Sequence, residues 1–308
     1  MYDVILENLI NDGKDYNKLN TMNKIKFQLT MLFLQVCNER YNYKNLPSEL
    51  PKWCIEKVLN LYGSGVLFKV GDEFVFTSAV PSSTLDIYNR PTMVQPVAMN
   101  GFSFPLITIT DTIVENGGKL TKKKKDGVLI KNNLYNVPTY ALIKPFIDKL
   151  CFIWESLGIN AGLSRIIALI HCNKDNVGAL KNEFNKIIGS NSGIALVGEK
   201  QNILDNWEKF DFNVEYAPDK YWEDFDKTFN LICQIVGINS DITSKKERLI
   251  VGELEANDEI TTITDNTFFE FRKSGFDEVN DTFNLNIQVE KVEDIKIKSP
   301  NIEKKEVN

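Results

Sequence analysis

The chain has 308 residues and a net charge of −6 at pH 7, and hydrophobic residues make up 43% of it. This composition supports a sizeable core and excludes global disorder. The acidic balance argues against a protein that coats nucleic acid tightly, because such proteins neutralise many phosphates with lysine and arginine.

The cysteine pattern and the apolar runs exclude further classes. Five cysteines lie far apart with no Cys-x-x-Cys spacing, so neither a disulfide framework nor a thiolate zinc site is indicated. The longest apolar run, 29–37, falls far short of the roughly 20 residues that span a bilayer. No membrane association and no signal peptide are expected.

The first segments predict an arm followed by two helices. Polar residues of balanced charge fill positions 1–23, which predicts a mobile arm or a short helix. A helix over 23–41 is apolar around most of its circumference, so it must be covered on several sides, by its own chain or by neighbouring subunits. A second helix over 52–61 ends at Gly63.

Residues 66–135 predict a small β-rich module, since short apolar runs alternate with Gly, Pro, Asn and Ser. Strands at 112–114 and 128–130 are expected to pair as a hairpin. Its predicted tip carries four consecutive lysines: Lys122, Lys123, Lys124 and Lys125. Contact with DNA phosphate, contact with an acidic partner protein and simple solvation remain open for them.

The second half mixes long helices with short strands. A helix over 138–157 has apolar residues at spacings of one, three and four, and Pro145 either kinks it or marks its first turn. A further helix over 218–236 is stopped by Gly237. The remaining expectations are strands at 166–170, 194–197 and 285–289, helices at 178–188 and 268–283, and a disordered tail at 296–308.

The motifs that would indicate an enzyme are weak. His171 is the single histidine and lies at an apolar strand, as a packed histidine would. Residues 193–200 resemble a phosphate-binding loop, but Lys200 falls one residue late and Gln201 replaces the Ser or Thr that would hold magnesium. Three acids beside lysines fit a solvated charged face better than a catalytic or metal site: Glu223, Asp224 and Asp226. No catalytic residue, metal or cofactor is predicted.

Four short motifs follow one another along the chain. They are residues 45–47 ahead of a helix that ends at 62–63, Leu85 to Arg90 before a strand, 137–139 before a long helix, and 245–248 eight residues ahead of 257–259. Each motif alone is unspecific. In this order and spacing they resemble the upper collar (connector, portal) proteins of small short-tailed bacteriophages whose genomes are primed by a terminal protein.

The resemblance implies a structural protein of the virion. The subunits of that family form a twelve-fold ring at one capsid vertex, the head–tail junction, through which double-stranded DNA is packaged and ejected. The implied partners are further copies of the chain, the viral DNA, the packaging ATPase, the lower collar or tail protein and the major capsid protein. A packaging RNA is not expected, since residues 1–26 hold four acids and four bases where RNA-binding members carry a strongly basic arm.

The expected fold is a mixed α/β (α+β) portal fold, with long tilted channel helices, an α/β wing and a small SH3-like β-barrel module. The expected segments are an N-terminal mobile arm 1–23, wing and stem helices 24–65, the β-rich module 66–135, wing and channel helices 136–236, a channel loop 237–264, a C-terminal helix and strand on the crown side 265–294, and a disordered tail 295–308.

The resemblance also assigns candidate DNA contacts. The helices near 25–40, 138–157 and 218–236 would form the channel, and Lys220 matches a channel lysine of the family. A second family lysine has no counterpart, because Val214 or Glu215 stands there. A channel loop from Asn239 to Asn257 would carry the phosphate contacts Lys245, Lys246 and Arg248.

Two rival functions stand beside the portal. A capsid-interior or tail structural protein would assemble without a central channel, and a cytosolic hydrolase would gather titratable groups in a pocket. The resemblance favours the portal over both.

Overall fold

The computed structural model describes a defined part of the chain. The described residues are 3–11, 13–98, 102–114, 120–122, 124–163, 169–170, 195–196, 216–240, 251–292 and 296–297. The chain divides into two compact units. The first comprises Met1–Asp148 with Phe229–Lys304, and the second comprises Lys149–Thr228 with Lys305–Asn308.

Helices make up much of the described chain. They are α1 Val4–Ile10, α2 Thr21–Glu39, α3 Lys52–Tyr62, α4 Thr139–Leu163, α5 Pro218–Val236 and α6 Val251–Phe283, with a 3₁₀ turn at Tyr16–Lys18. Their ends follow local chemistry. The Asp3 carboxylate accepts hydrogen bonds from the first backbone N–H groups of α1, and Asn20 caps α2 in the same way.

The strands are shorter and fall into several sheets. They are β1 Tyr41–Lys44, β2 Ser64–Val70, β3 Glu73–Pro81, β4 Met93–Val97, β5 Ile107–Thr108, β6 Thr112–Val114, β7 Leu120–Lys122, β8 Gly127–Lys131, β9 Leu169–Ile170, β10 Ala195–Leu196, β11 Asn239–Ser240, β12 Gln288–Lys291 and β13 Lys296–Ile297. The largest sheet is antiparallel in the order β5-β4-β3-β2-β8. Strand β1 pairs with β12, nearly the whole chain length away.

The five-stranded sheet curls on itself. The N–H group of Asp126, just before β8, donates to the carbonyl of Thr108 at the end of β5, so the two outer strands approach each other. The inner face packs its own core from Val66, Phe68, Val94, Ile107 and Ile109. This curled sheet confirms the β-rich module and the mixed fold class predicted from the sequence.

The outer face of the same sheet is covered by helices. Side chains alternate between the faces of a strand, so Leu67 points away from its neighbours Val66 and Phe68. Leu67 joins a second core with residues of α3 and α6, among them Ile55 and Phe276. Two cores therefore sandwich the sheet and fix α3 and α6 against it.

Several predicted elements differ from the structure. Strand β7 pairs with β6, and β8 pairs with β2, so the predicted hairpin between 112–114 and 128–130 is wrong. Helix α6 begins at Val251, so a loop predicted to reach 264 extends no further than 250. The polar sequence ahead of 268 hid this longer helix, because it lacks a strong apolar stripe.

The N-terminal segment, predicted as a mobile arm or a short helix, contains the helix α1 Val4–Ile10. The Asp3 carboxylate accepts hydrogen bonds from the Tyr140 hydroxyl, at 2.8 Å, and from the Lys144 ammonium. Burial raises the pKa of Asp3, but these two donors outweigh it and bring the pKa below its usual value. Residues 3–11 therefore form a helix docked on α4.

Several expectations lie outside the described residues, among them the helix at 178–188, His171, Lys200, the cations Lys245, Lys246 and Arg248, and the tail beyond 297. Within the described ranges, no helix is long and apolar enough to cross a membrane. No group of three or more metal-ligating side chains occurs there either.

Candidate functional site

Of the four predicted channel contacts with phosphate, the described part of the chain includes Lys220 alone. Lys220 is exposed in the first turn of α5, and Asn239 is exposed just beyond the other end of that helix. Asn257 lies within α6 and not in a loop. The residues Lys245, Lys246 and Arg248 lie outside the described part of the chain.

One face of α5 is charged and exposed. Glu223 and Asp224 both face solvent, and the Glu223 carboxylate pairs with the Lys227 ammonium at 3.2 Å, one turn along the helix. Phe225 and Ile232 are buried on the other side. The interpretation of Glu223 and Asp224 as part of a solvated charged face is thereby confirmed.

The lysine run does not form a hairpin tip. Lys122 ends β7, Lys123 lies outside the described residues, and Lys124 and Lys125 belong to the connection into β8. The Lys125 ammonium pairs with the Glu278 carboxylate at 2.6 Å and with Asp111 at 3.5 Å. Burial lowers the pKa of Lys125, but these two carboxylates outweigh it and raise the pKa. Lys125 is thus engaged within its own chain.

A buried arginine joins the C-terminal ends of α2 and α5 to the middle of α6. Arg40, at the C-terminus of α2, donates to the carbonyl of Val236, the last residue of α5. Its second nitrogen donates to the Asp265 carboxylate of α6, which Lys291 also binds. The guanidinium lies 5.2 Å from the centre of the Phe268 ring. A cation therefore neutralises the negative C-terminal end of α5.

The Arg40 contacts fix the start of the segment predicted to be a channel loop. Gly237 ends α5 with φ +72°, and a Cβ at this position would meet the backbone nitrogen of Asp265 at 2.5 Å. Burial raises the pKa of the Asp265 carboxyl, but Arg40 and Lys291 outweigh it and hold the pKa below its usual value. The C-terminal end of α5 is thus held against the middle of α6.

A second buried ion pair joins Arg272 of α6 to Glu56 of α3. The Arg272 guanidinium binds the Glu56 carboxylate with two hydrogen bonds of 2.8 and 2.9 Å, and both side chains are almost fully buried. The Tyr43 hydroxyl donates to the same carboxylate, and Asn132 accepts from the guanidinium. This network links α3, β1, the end of β8 and α6.

The sequence interpretation missed Arg40 and Arg272, although a signal was present. The chain has five arginines among 36 basic residues. The planar guanidinium binds carboxylates with two parallel hydrogen bonds, which lysine cannot do, so arginine is favoured at buried ion pairs. In a lysine-rich chain, each isolated arginine is therefore a candidate structural anchor.

Residues 13–296 match the family model described as Phage Connector (GP10). The chain belongs to the Phage Connector family. The match spans both units and every helix from α2 to α6. The prediction of a bacteriophage connector is therefore confirmed, and the family is a structural one.

Two solved structures also match the connector. The portal and tail of native bacteriophage P68 is 14% identical, with 96% of this chain and 93% of that chain covered and a TM-score of 0.44. The virion of a native gene transfer agent particle is 10% identical, with 92% and 83% covered and a TM-score of 0.37.

Proposed function

We propose that copies of the connector close into a ring at one capsid vertex and form the portal through which double-stranded viral DNA enters and leaves the virion. The observation that carries this proposal is the family match over residues 13–296. Twelve copies are proposed from the resemblance noted in the sequence. A structural conduit requires no catalysis, and we propose that the chain has none.

An apolar stripe on α4 supports assembly. Phe152 and Ile159 lie two turns apart on one face of the helix, and they are 69% and 56% exposed in the single chain. Exposed apolar stripes of this kind mark surfaces that bind other protein chains.

Electron microscopy of the purified connector tests the ring directly. A closed ring with a pore wide enough for duplex DNA supports the proposal. An assembly without a bore would favour a capsid-interior or tail protein, and a monomer at high concentration would overturn the ring altogether.

The charge of the connector suits a channel that lets DNA slide. Duplex DNA carries about one negative charge per 1.7 Å of its axis, so a dense cluster of cations would grip it. An acidic subunit avoids such a grip. We propose that Lys220, Lys245, Lys246 and Arg248 make weak phosphate contacts that ring symmetry multiplies.

The retention of DNA in packaged particles tests the proposed phosphate contacts. Particles packaged with a connector carrying Lys245→Ala, Lys246→Ala and Arg248→Ala should lose DNA after packaging stops. A matched variant removes three exposed lysines elsewhere, at Lys14, Lys69 and Lys273, and should retain the genome. Equal retention in both variants would rule out the proposed contacts while leaving the ring untouched.

The proposed partners follow from the proposed position of the ring at a capsid vertex. We propose that the ring contacts the major capsid protein around its edge, the lower collar or tail protein on one side and the packaging ATPase during assembly. A packaging RNA is not proposed, because the N-terminal segment is not basic and α1 docks on α4 through Asp3.

A further inference from the structure

A groove of about 570 Å³ lies between the N-terminal segment and helices α2 and α3. Its apolar lining includes Leu9 of α1 and Phe27, Met31 and Leu34 of α2. Protein interiors leave few voids larger than a water molecule, so this space shows that α1 is incompletely packed against these helices. The apolar contact that holds α1 in place is correspondingly small.

The burial of α1 itself is limited. Of its seven residues, all of which the structure describes, Ile5 and Asn8 are buried. The Asn8 side-chain oxygen is buried as well, and no donor among the described residues reaches it, which opposes docking. A helix as short as α1 is not stable in water on its own, so it stays helical only while it is docked.

Polar contacts at its two ends hold α1 in place. The Asp3 carboxylate caps the first turn and also accepts hydrogen bonds from the Tyr140 hydroxyl, at 2.8 Å, and from the Lys144 ammonium, both on α4. At the other end, the Lys57 ammonium of α3 donates to the carbonyl of Ile10 at 3.2 Å. Release of α1 therefore breaks a few polar contacts and exposes little apolar surface.

The segment that follows α1 is anchored independently. The Tyr16 ring packs against the Phe27 ring of α2, with 5.4 Å between their centres. The Tyr16 hydroxyl also accepts a hydrogen bond from the Gln28 amide at 2.8 Å, and Leu19 is buried. A movement of α1 can therefore end within 11–15, and it leaves α2 in place.

We propose that α1 is a releasable strap, which lifts away from α3 and α4 as one unit while the rest of the first unit stays folded. Asp3 is its latch, because one carboxylate both caps α1 and ties it to α4. In the released state the groove is open, and Met31 and Leu34 of α2 lose the cover of Asn8 and Leu9. The strap goes beyond the proposed ring, since every contact that it uses lies within one chain.

Hydrogen exchange of the full-length connector in rising urea, followed by mass spectrometry, tests the strap. Local opening exposes little surface, so its exchange hardly depends on dilute urea, whereas exchange through global unfolding rises steeply. The amides of α1 should exchange at least about a hundredfold faster than those of β2, with no rise below about 1 M urea.

Two results would overturn the strap. Exchange in α1 that rises with urea as steeply as exchange in β2 would mean that α1 leaves only when the whole first unit unfolds. Exchange in α1 as fast as in an unstructured peptide would mean that the closed state is not populated.

Two substitutions should change the opening of α1 in opposite directions. Asp3→Asn keeps a good N-cap but removes the charge that binds Lys144, so exchange in α1 should become about tenfold faster. Asn8→Leu removes the unpaired acceptor and favours the helix, so exchange should become roughly tenfold slower. A substitution that merely damages the fold cannot slow exchange.

A neighbouring carboxylate provides the matched control. Asp15 pairs with Lys18 at 2.5 Å on the exposed surface of the next segment, and Asp15→Asn makes the same change of charge as Asp3→Asn. Exchange in α1 should stay as in wild type. If Asp15→Asn accelerated exchange as much as Asp3→Asn, net charge and not the latch would govern opening. Equal exchange in wild type, Asp3→Asn and Asn8→Leu would equally contradict the proposed latch.

Discussion

At the scale of single residues, the buried Glu56–Arg272 pair should be sensitive to the loss of either partner. Glu56→Gln would leave Arg272 charged and buried without a counter-ion, so we expect a loss of about 3–5 kcal/mol in the free energy of unfolding. Urea denaturation measures this loss. The exposed pair of Lys44 and Glu290 is the control, and Glu290→Gln should cost less than about 1 kcal/mol.

The Asp265 carboxylate should make stability depend on acid pH. Its folded pKa lies below the ordinary value of 3.8, so its stabilising effect is complete above that value and is lost as the pH falls through the folded pKa. Asp265→Asn should cost about 2 kcal/mol near neutral pH, a value reduced because the side chain is a quarter exposed. The difference from wild type should shrink below about pH 4. A difference that stays constant down to pH 2 would contradict this assignment.

At the scale of elements, the sequence predicted those whose ends carry their own signals. Helix α5 was predicted over 218–236 and occupies those residues, because Pro218 starts it and Gly237 stops it. The start of α6 was missed, because neither cap nor apolar stripe marks it. The pairing of β1 with β12 joins residues about 250 positions apart, and no local pattern can specify it.

The candidate site was only partly predictable for the same reason. Lys220 was predicted at the start of a helix and lies in the first turn of α5, because Pro218 is a local start signal. Its contact with DNA stays a prediction. The contacts of Arg40 with Val236 and Asp265 join residues 196 and 225 positions away, so they arise only from packing. Charged residues that a sequence pattern assigns to the surface can therefore be buried and paired in the fold.

The turn after α3 depends on a glycine. Gly63 has φ +81°, and a Cβ there would lie 1.9 Å from the carbonyl oxygen of Asn136. Gly63→Ala should therefore destabilise the connector by more than about 3 kcal/mol in urea denaturation. Gly71 has φ +64° but open space around it, so Gly71→Ala should cost only about 1–2 kcal/mol. Similar losses for both variants would show that the close approach to Asn136 is relieved at little cost.

At the scale of the whole molecule, net charge should act on DNA binding, and exposed apolar surface should act on the assembly of subunits. In the proposed ring, the charge of −6 would keep the channel wall from binding DNA strongly, whereas apolar surface would drive subunits together. Phe152 on α4 is 69% exposed in the single chain and should be covered in the ring. Assembly should thus tolerate changes of surface charge far better than changes on this stripe.

The variant Phe152→Asp tests whether assembly depends on the apolar stripe of α4. A charged carboxylate cannot be buried against an apolar partner without a large penalty, so rings should give way to monomers in analytical ultracentrifugation. Phe152→Leu keeps the position apolar and should still assemble. Circular dichroism should show the same helix content in both variants, because the side chain contributes little to the fold of the single chain. Rings of Phe152→Asp as abundant as those of wild type would mean that the α4 stripe faces solvent in the assembly, and the subunit contacts would then have to lie elsewhere on the connector.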